Sequence, residues 1–187
     1  GESGISIPTK FIQSGNFGGS TESQFVSPGT NSIALEERNA VSLGSFKKVV
    51  GADYILDCTF TNNSFQPAIN GNVNGDFNGT LYYGIVFSNT ILDDAWIDSY
   101  YSNLDSTYIS TTSYSTIDKL STYIVTDGYE PTKIDSIESL KNNVTYNVYL
   151  ITNYYLYCSY ATIMEENTSV YATLNSPQVT ITITPSM

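Results

Sequence analysis

Near its C-terminal end this chain alternates without a break: Val179, Ile181 and Ile183 stand on one side of Thr180, Thr182 and Thr184. Apolar residues at period 2 line one whole face of an extended strand, and the same spacing scatters them around a helix. The pattern recurs along the chain. Residues 53–60 place Tyr54, Leu56, Cys58 and Phe60 on one face, and the apolar run 80–88 predicts a strand buried on both faces. Residues 144–164, rich in Tyr, Val, Ile, Leu and Thr, predict one long bent strand or two joined near Asn153. Segments 40–43, 46–50, 108–114, 120–126 and 170–174 also carry strand composition, for about nine or ten strands in all. Helical spacing is confined to two places. One is 91–104, with Thr90 as cap and Asp93 as its partner three residues on; the other is 132–140, where Ile134, Ile137 and Leu140 lie three apart. Residues 61–79 hold Asn70-Gly71, Asn74-Gly75 and Asn78-Gly79 and predict a long loop. The expected fold is mainly β: a β-sandwich or jelly-roll-like (Ig-like) body with one or two short helices.

The N-terminal end is set apart by its composition. Ile5, Ile7, Thr9 and Phe11 alternate onto one face, and Pro8 suits an edge strand because it has no N–H to donate. Ser14-Gly15-Asn16-Phe17-Gly18-Gly19-Ser20-Thr21 follows, with the makeup of a flexible connection. The residues also suit a plain first strand followed by a long loop; the expected division is a detached strand over residues 1–13, a Gly/Ser linker over 14–23, and a β-rich head domain over 24–187.

Charge narrows the function. Seven basic against 18 acidic residues leave a net charge of −11, so neither nucleic acid nor an anionic membrane is an expected partner. No apolar run approaches the roughly 20 residues of a membrane-spanning helix. The absence of His removes the usual general base and most zinc sites. The run Asn70–Gly75 lacks carboxylates at the leading positions of a calcium loop, and Leu81 stands where the closing Glu belongs. Asp93, Asp94 and Asp98, or Glu165 and Glu166, offer carboxylate pairs without a cleft signal and read as solvated groups. Neither an enzyme nor a bound cofactor or metal is expected. Only 13% of residues are charged, while Ser, Thr and Asn supply 63 of 187, a polarity that survives acid. Carboxylates protonate below about pH 4, whereas hydroxyls and amides keep their hydrogen bonding. An acidic extracellular habitat fits that choice.

Two cysteines in such a chain, Cys58 and Cys158, predict one disulfide. It would close a loop of about 100 residues and stabilise the fold by roughly 4–5 kcal/mol in the chain-entropy model. The alternative is two separate buried thiols. The immunoglobulin spacing is not met, since Trp96 lies well beyond Cys58. Asn62, Asn78, Asn143 and Asn167 each begin an Asn-X-Ser/Thr sequon, about the number chance would supply from 17 Asn. Placement therefore matters more than number. Asn62 and Asn78 fall in the long loop and Asn167 at a turn, where N-linked glycans are accepted, while Asn143 begins a strand.

Taken together, the alternating N-terminal strand, the Gly/Ser stretch, the β-rich body, the cysteine pair and the hydroxyl-rich polarity resemble a subunit of an archaeal extracellular filament, the thread of the Sulfolobales. The resemblance spans the chain and rests on layout and composition. It implies donor-strand complementation, in which the N-terminal strand of each subunit completes the sheet of the next to give a linear homopolymer. Ile5, Ile7 and Phe11 would be the donor-strand knobs, and the strand 178–184 a wall of the acceptor groove. It implies an extracellular, cell-surface location and a part in adhesion or biofilm formation. Two other readings stay open: a viral capsid or spike jelly-roll, and a carbohydrate-binding or hydrolytic β-sandwich with Tyr154, Tyr155 and Tyr157 stacked on sugars.

Overall fold

The computed structural model describes residues 7–174 and 177–186. In chain order the strands begin with β1 (Phe11–Asn16), β2 (Ser20–Phe25), β3 (Gly29–Glu37), β4 (Ala40–Lys47) and β5 (Asp53–Phe60). Three short ones follow, β6 (Ser64–Phe65), β7 (Pro67–Asn70) and β8 (Val73–Asn74), before the long β9 (Asn78–Ser88). The helix α1 (Asp94–Tyr100) leads to β10 (Asp105–Ser110), β11 (Ser115–Thr116), β12 (Thr122–Val125) and β13 (Thr132–Ile134). The chain closes with β14 (Thr145–Ile163), β15 (Thr168–Leu174) and β16 (Gln178–Ser186).

These strands form a β-sandwich. One layer is an eight-stranded sheet with the path β13-β12-β9-β14-β3, to which β10 adds on β9 and β4 and β8 add on β14. The second layer consists of two three-stranded sheets, β1-β16-β5 and β2-β15-β7. Between the layers, Leu81, Ile85, Phe87, Leu150 and Leu156 share one buried cluster with Val170, Leu174, Val179, Ile181 and Ile183. β9 and β12 run parallel, which sets this sheet apart from the all-antiparallel layers of an immunoglobulin-like sandwich.

β14 is the spine of the molecule. Its 19 residues form one strand, not two, paired with β9 on one side and with β4 and then β3 on the other. Register shifts between Asn147 and Tyr149, and again between Cys158 and Ala161, bend it. β9 is buried on both faces as its composition predicts. Ile85 and Phe87 face the second layer, while Val86, with Tyr149 and Ile151 of β14, packs against Trp96 and Ile97 of α1.

The helix is shorter than its spacing predicts. Asp93, not Thr90, is the cap, its Oδ1 accepting from the Trp96 N–H at 2.8 Å. After Tyr100 the chain tightens into a 3-10 turn over Tyr101–Asn103. The predicted helix over 132–140 is instead β13 followed by a 3-10 turn over Ile137–Ser139. The expected loop 61–79 contains β6, β7 and β8, and two strands with weak apolar signal, β2 and β3, escape the sequence reading.

The largest correction concerns residues 14–23. They are not a linker: Ser14–Asn16 belong to β1 and Ser20–Ser23 to β2, paired with β16 and β15 respectively. Phe17, between the two strands, is 1% exposed, with the rings of Phe65, Phe60 and Tyr83 around it at 5.0, 6.1 and 6.3 Å. The glycines serve close approach. A Cβ on Gly15 would sit 3.1 Å from Leu43, and one on Gly18, at φ +83°, would sit 2.9 Å from the Leu174 Cβ.

Candidate functional site

β1 begins at Phe11, and residues 7–10 ahead of it are in neither strand nor helix. Ile7 is 81% exposed, the aliphatic side chain of a segment that leads off an edge strand. Phe11 is no free knob. It pairs with Ile183 in the chain's own sheet and meets the Phe46 ring edge-on at 6.0 Å. Ile5 lies outside the described residues. The strand 178–184 cannot be an open acceptor wall either, because β16 carries β1 on one side and β5 on the other.

The open edges lie elsewhere. β5 is the far edge of one three-stranded sheet and β13 is an edge of the eight-stranded sheet. A groove of ≈ 510 Å³ runs between them, lined by Tyr54, Ile55 and Leu56 of β5 and by Ile134 and Ile137 across from it. Ile55 is 59% exposed there. An edge strand presents unpaired N–H and C=O groups, and with apolar side chains beside them it invites another strand. One end is closed by a polar clamp. The Tyr54 N–H donates to Glu138 Oε1 at 2.7 Å, and the buried Lys48 ammonium donates to the Glu138 carbonyl at 2.9 Å. At the other end Lys133 donates to Asp105 at 2.7 Å. Burial would raise the Asp105 pKa, but hydrogen bonds from Lys133 and Ser121 and the Lys133 charge outweigh it and hold the carboxyl below its ordinary value.

The expected disulfide is absent. Cys58 on β5 stands opposite Ile181 in a three-stranded sheet; Cys158 on β14 stands opposite Ile33 in the eight-stranded one, and both are free thiols. Each does point its strand face into the core as read, but in different sheets. Burial, and then the neighbouring Asp57 carboxylate, push the Cys58 thiol up to about 11, so it is a poor nucleophile at neutral pH.

All four sequon asparagines are exposed. Asn62 lies in a turn closed by its own Oδ1, which accepts from the Ser64 N–H at 3.0 Å. Asn143 and Asn167 hold the left-handed conformation at φ 61° and 52°. Asn78 is the first residue of β9, not a loop residue, and Asn143 precedes β14 without belonging to it. Of the five carboxylates weighed as pairs and read as solvated groups, three have local partners. Asp93 caps α1, Asp98 accepts from Arg38 at 3.0 Å, and Glu165 accepts from Asn72 at 2.9 Å. Among the described residues no group of three or more His, Cys, Asp or Glu side chains could hold a metal ion, and no helix is long and apolar enough to cross a membrane.

No family model, curated protein or solved structure matches this chain. Functional inference therefore rests on the surface itself. The surface offers an exposed Ile7 ahead of the first strand, a groove between two strand edges, and a tyrosine-rich sheet face. Tyr154, read as a sugar-stacking side chain, is 0% exposed and bonds through its hydroxyl to the Gly19 and Ala172 carbonyls; Tyr155 and Tyr157 face outward. The groove escaped the sequence reading because its walls, β5 and β13, lie far apart in the chain.

Proposed function

We propose that the chain is a structural subunit of an extracellular, cell-surface filament, polymerised head to tail by insertion of its N-terminal arm into a neighbouring copy. The observation that carries this reading is the groove between the open edges of β5 and β13 in a molecule with an exposed Ile7 ahead of its first strand. Because Phe11 is engaged in its own sheet, the donor segment is residues 1–10, with Ile5 and Ile7 as knobs two residues apart on one strand face. Ten residues extend to about 33 Å, enough to leave one body and run along the edge of the next. Such a contact joins two different surfaces and so propagates as an open fibre. The resemblance to archaeal threads supports the same reading, as does a surface polar through hydroxyls and amides. The exposed turn at Asn62 suits an N-linked glycan on such a filament.

Replacing Ile5 and Ile7 with Asp tests the arm, and Ile55→Asp tests the groove from a side chain exposed enough to change without loss of fold. Electron microscopy and light scattering should show fibres for the wild-type chain and folded monomers for both variants, and glycopeptide mapping of native fibres should find sugar on Asn62. Normal fibres from both variants, or a wild-type chain that stays monomeric, would rule the scheme out.

A further inference from the structure

The outer face of the eight-stranded sheet is only half covered. Over β9, β12 and the first part of β14, α1 packs Trp96 and Ile97 on Val86, Tyr149 and Ile151. The covering ends at Tyr101, which meets Tyr82 edge-on at 5.0 Å and carries the Arg38 guanidinium over its ring at 4.2 Å. Beyond that line β10, β9, β14 and β3 lie open. In register across them run Tyr108, Thr80, Tyr155 and Glu36, and then Ser110, Asn78, Tyr157 and Ala34. The Tyr155 and Tyr157 rings are nearly parallel, with planes 8° apart and centroids 6.3 Å apart. Tyr108 is 60% exposed and Tyr157 36%.

We propose that this open face binds a neutral polysaccharide, whose sugar rings stack on Tyr155 and Tyr157 while the neighbouring hydroxyls and amides exchange hydrogen bonds with it. Three observations favour that occupant. The aromatic side chains here are tyrosines, flat apolar rings with a polar tip, which suits a ligand that is apolar on its ring face and hydroxylated at its rim. Between them stand the half-buried Thr80 and the exposed Asn78, so the face carries uncharged hydrogen-bonding groups and differs from a dry apolar docking patch. Charge complementarity selects neutral over acidic polymers. In those two rows the charged side chain is Glu36, held by Arg38 at 3.3 Å, and the whole chain carries −11. An extended sheet face also matches a long polymer, which several rings can engage in succession, better than it matches a compact ligand.

The face lies apart from the arm and from the β5–β13 groove, so the test separates this proposal from polymerisation. Full-length, unglycosylated protein is run by affinity electrophoresis in gels cast with dextran, soluble β-glucan or galactomannan, with alginate as the anionic control. The expected result is retardation by at least one neutral polymer and none by alginate. The Tyr155→Ala, Tyr157→Ala protein should bind roughly tenfold more weakly or worse. The Tyr155→Phe, Tyr157→Phe protein should bind nearly as the wild type, since stacking survives loss of the hydroxyls. The Tyr129→Ala protein, altered at an exposed tyrosine outside this face, should be unaffected. All three should still form fibres where the wild type does. Absence of retardation by every neutral polymer overturns the proposal, as does undiminished binding by the double alanine variant. Equal loss in the double phenylalanine variant would also overturn it, as would self-association through this face in place of sugar binding.

Discussion

Replacing Phe17 with Ala distinguishes a linker from a core strand. In a flexible Gly/Ser connection the change would cost almost nothing. In this fold Phe17 is 1% exposed and sits among the rings of Phe65, Phe60 and Tyr83, between β1 and β2. A buried Phe→Ala change removes the transfer free energy of the ring and leaves a cavity, about 3–5 kcal/mol together. The surroundings are close-packed, since a Cβ added at Gly15 or Gly18 would crowd Leu43 or Leu174. Domains of this size hold about 5–15 kcal/mol in total, so a fifth or more of the stability is at stake. For a chain of this length that corresponds to a fall in Tm of roughly 6–20 °C. Urea unfolding followed by the fluorescence of Trp96, the single tryptophan and buried under α1, measures it directly. Asn16→Ala, one residue away and exposed, is the control and should shift stability by less than about 0.5 kcal/mol. A Phe17→Ala loss below about 1 kcal/mol would refute the assignment of residues 14–23 to the core.

Two further outcomes follow from the same packing. Native protein should resist alkylation at neutral pH, and after denaturation without reductant both cysteines should react; a cross-linked Cys58–Cys158 peptide in non-reducing maps would contradict two free thiols. Because the folded Cys58 thiol ionises only near 11, the unfolded chain loses that proton first, and stability should decline as pH rises above about 9. Lys133→Met should cost about 0.5–1 kcal/mol at pH 7, the scale of a largely exposed ion pair. The Asp105 pKa is depressed in the folded state, so this contribution is present above the ordinary carboxylate value and is lost as pH falls through the lowered one. Denaturation of the two proteins should therefore converge once the pH has fallen below the lowered Asp105 value, and a difference that persists in acid would show that the Lys133 chain acts by packing.

How much of this was legible beforehand depends on whether the signal was local. Alternation marked β5 and β16 because a half-buried strand must repeat every second residue, and the unbroken apolar run of β9 marked a strand covered on both sides. Such patterns report which faces are buried, and so the mainly β class was determined by sequence alone. They do not report the partner. Cys58 and Cys158 each lie on a core-facing strand face, yet only tertiary structure put those strands in different sheets. The stretch 14–23 misled for a related reason: glycine means flexibility when nothing is near and close approach when Leu43 or Leu174 presses against it, and its local sequence is the same in both cases. The groove and the tyrosine face depend on pairing between distant segments, β5 with β13 as neighbours across a gap and Tyr108, Tyr155 and Tyr157 brought onto one surface by the register of β10, β9 and β14. Register is set by the sum of many side-chain contacts over the whole sheet, and no single segment contains it.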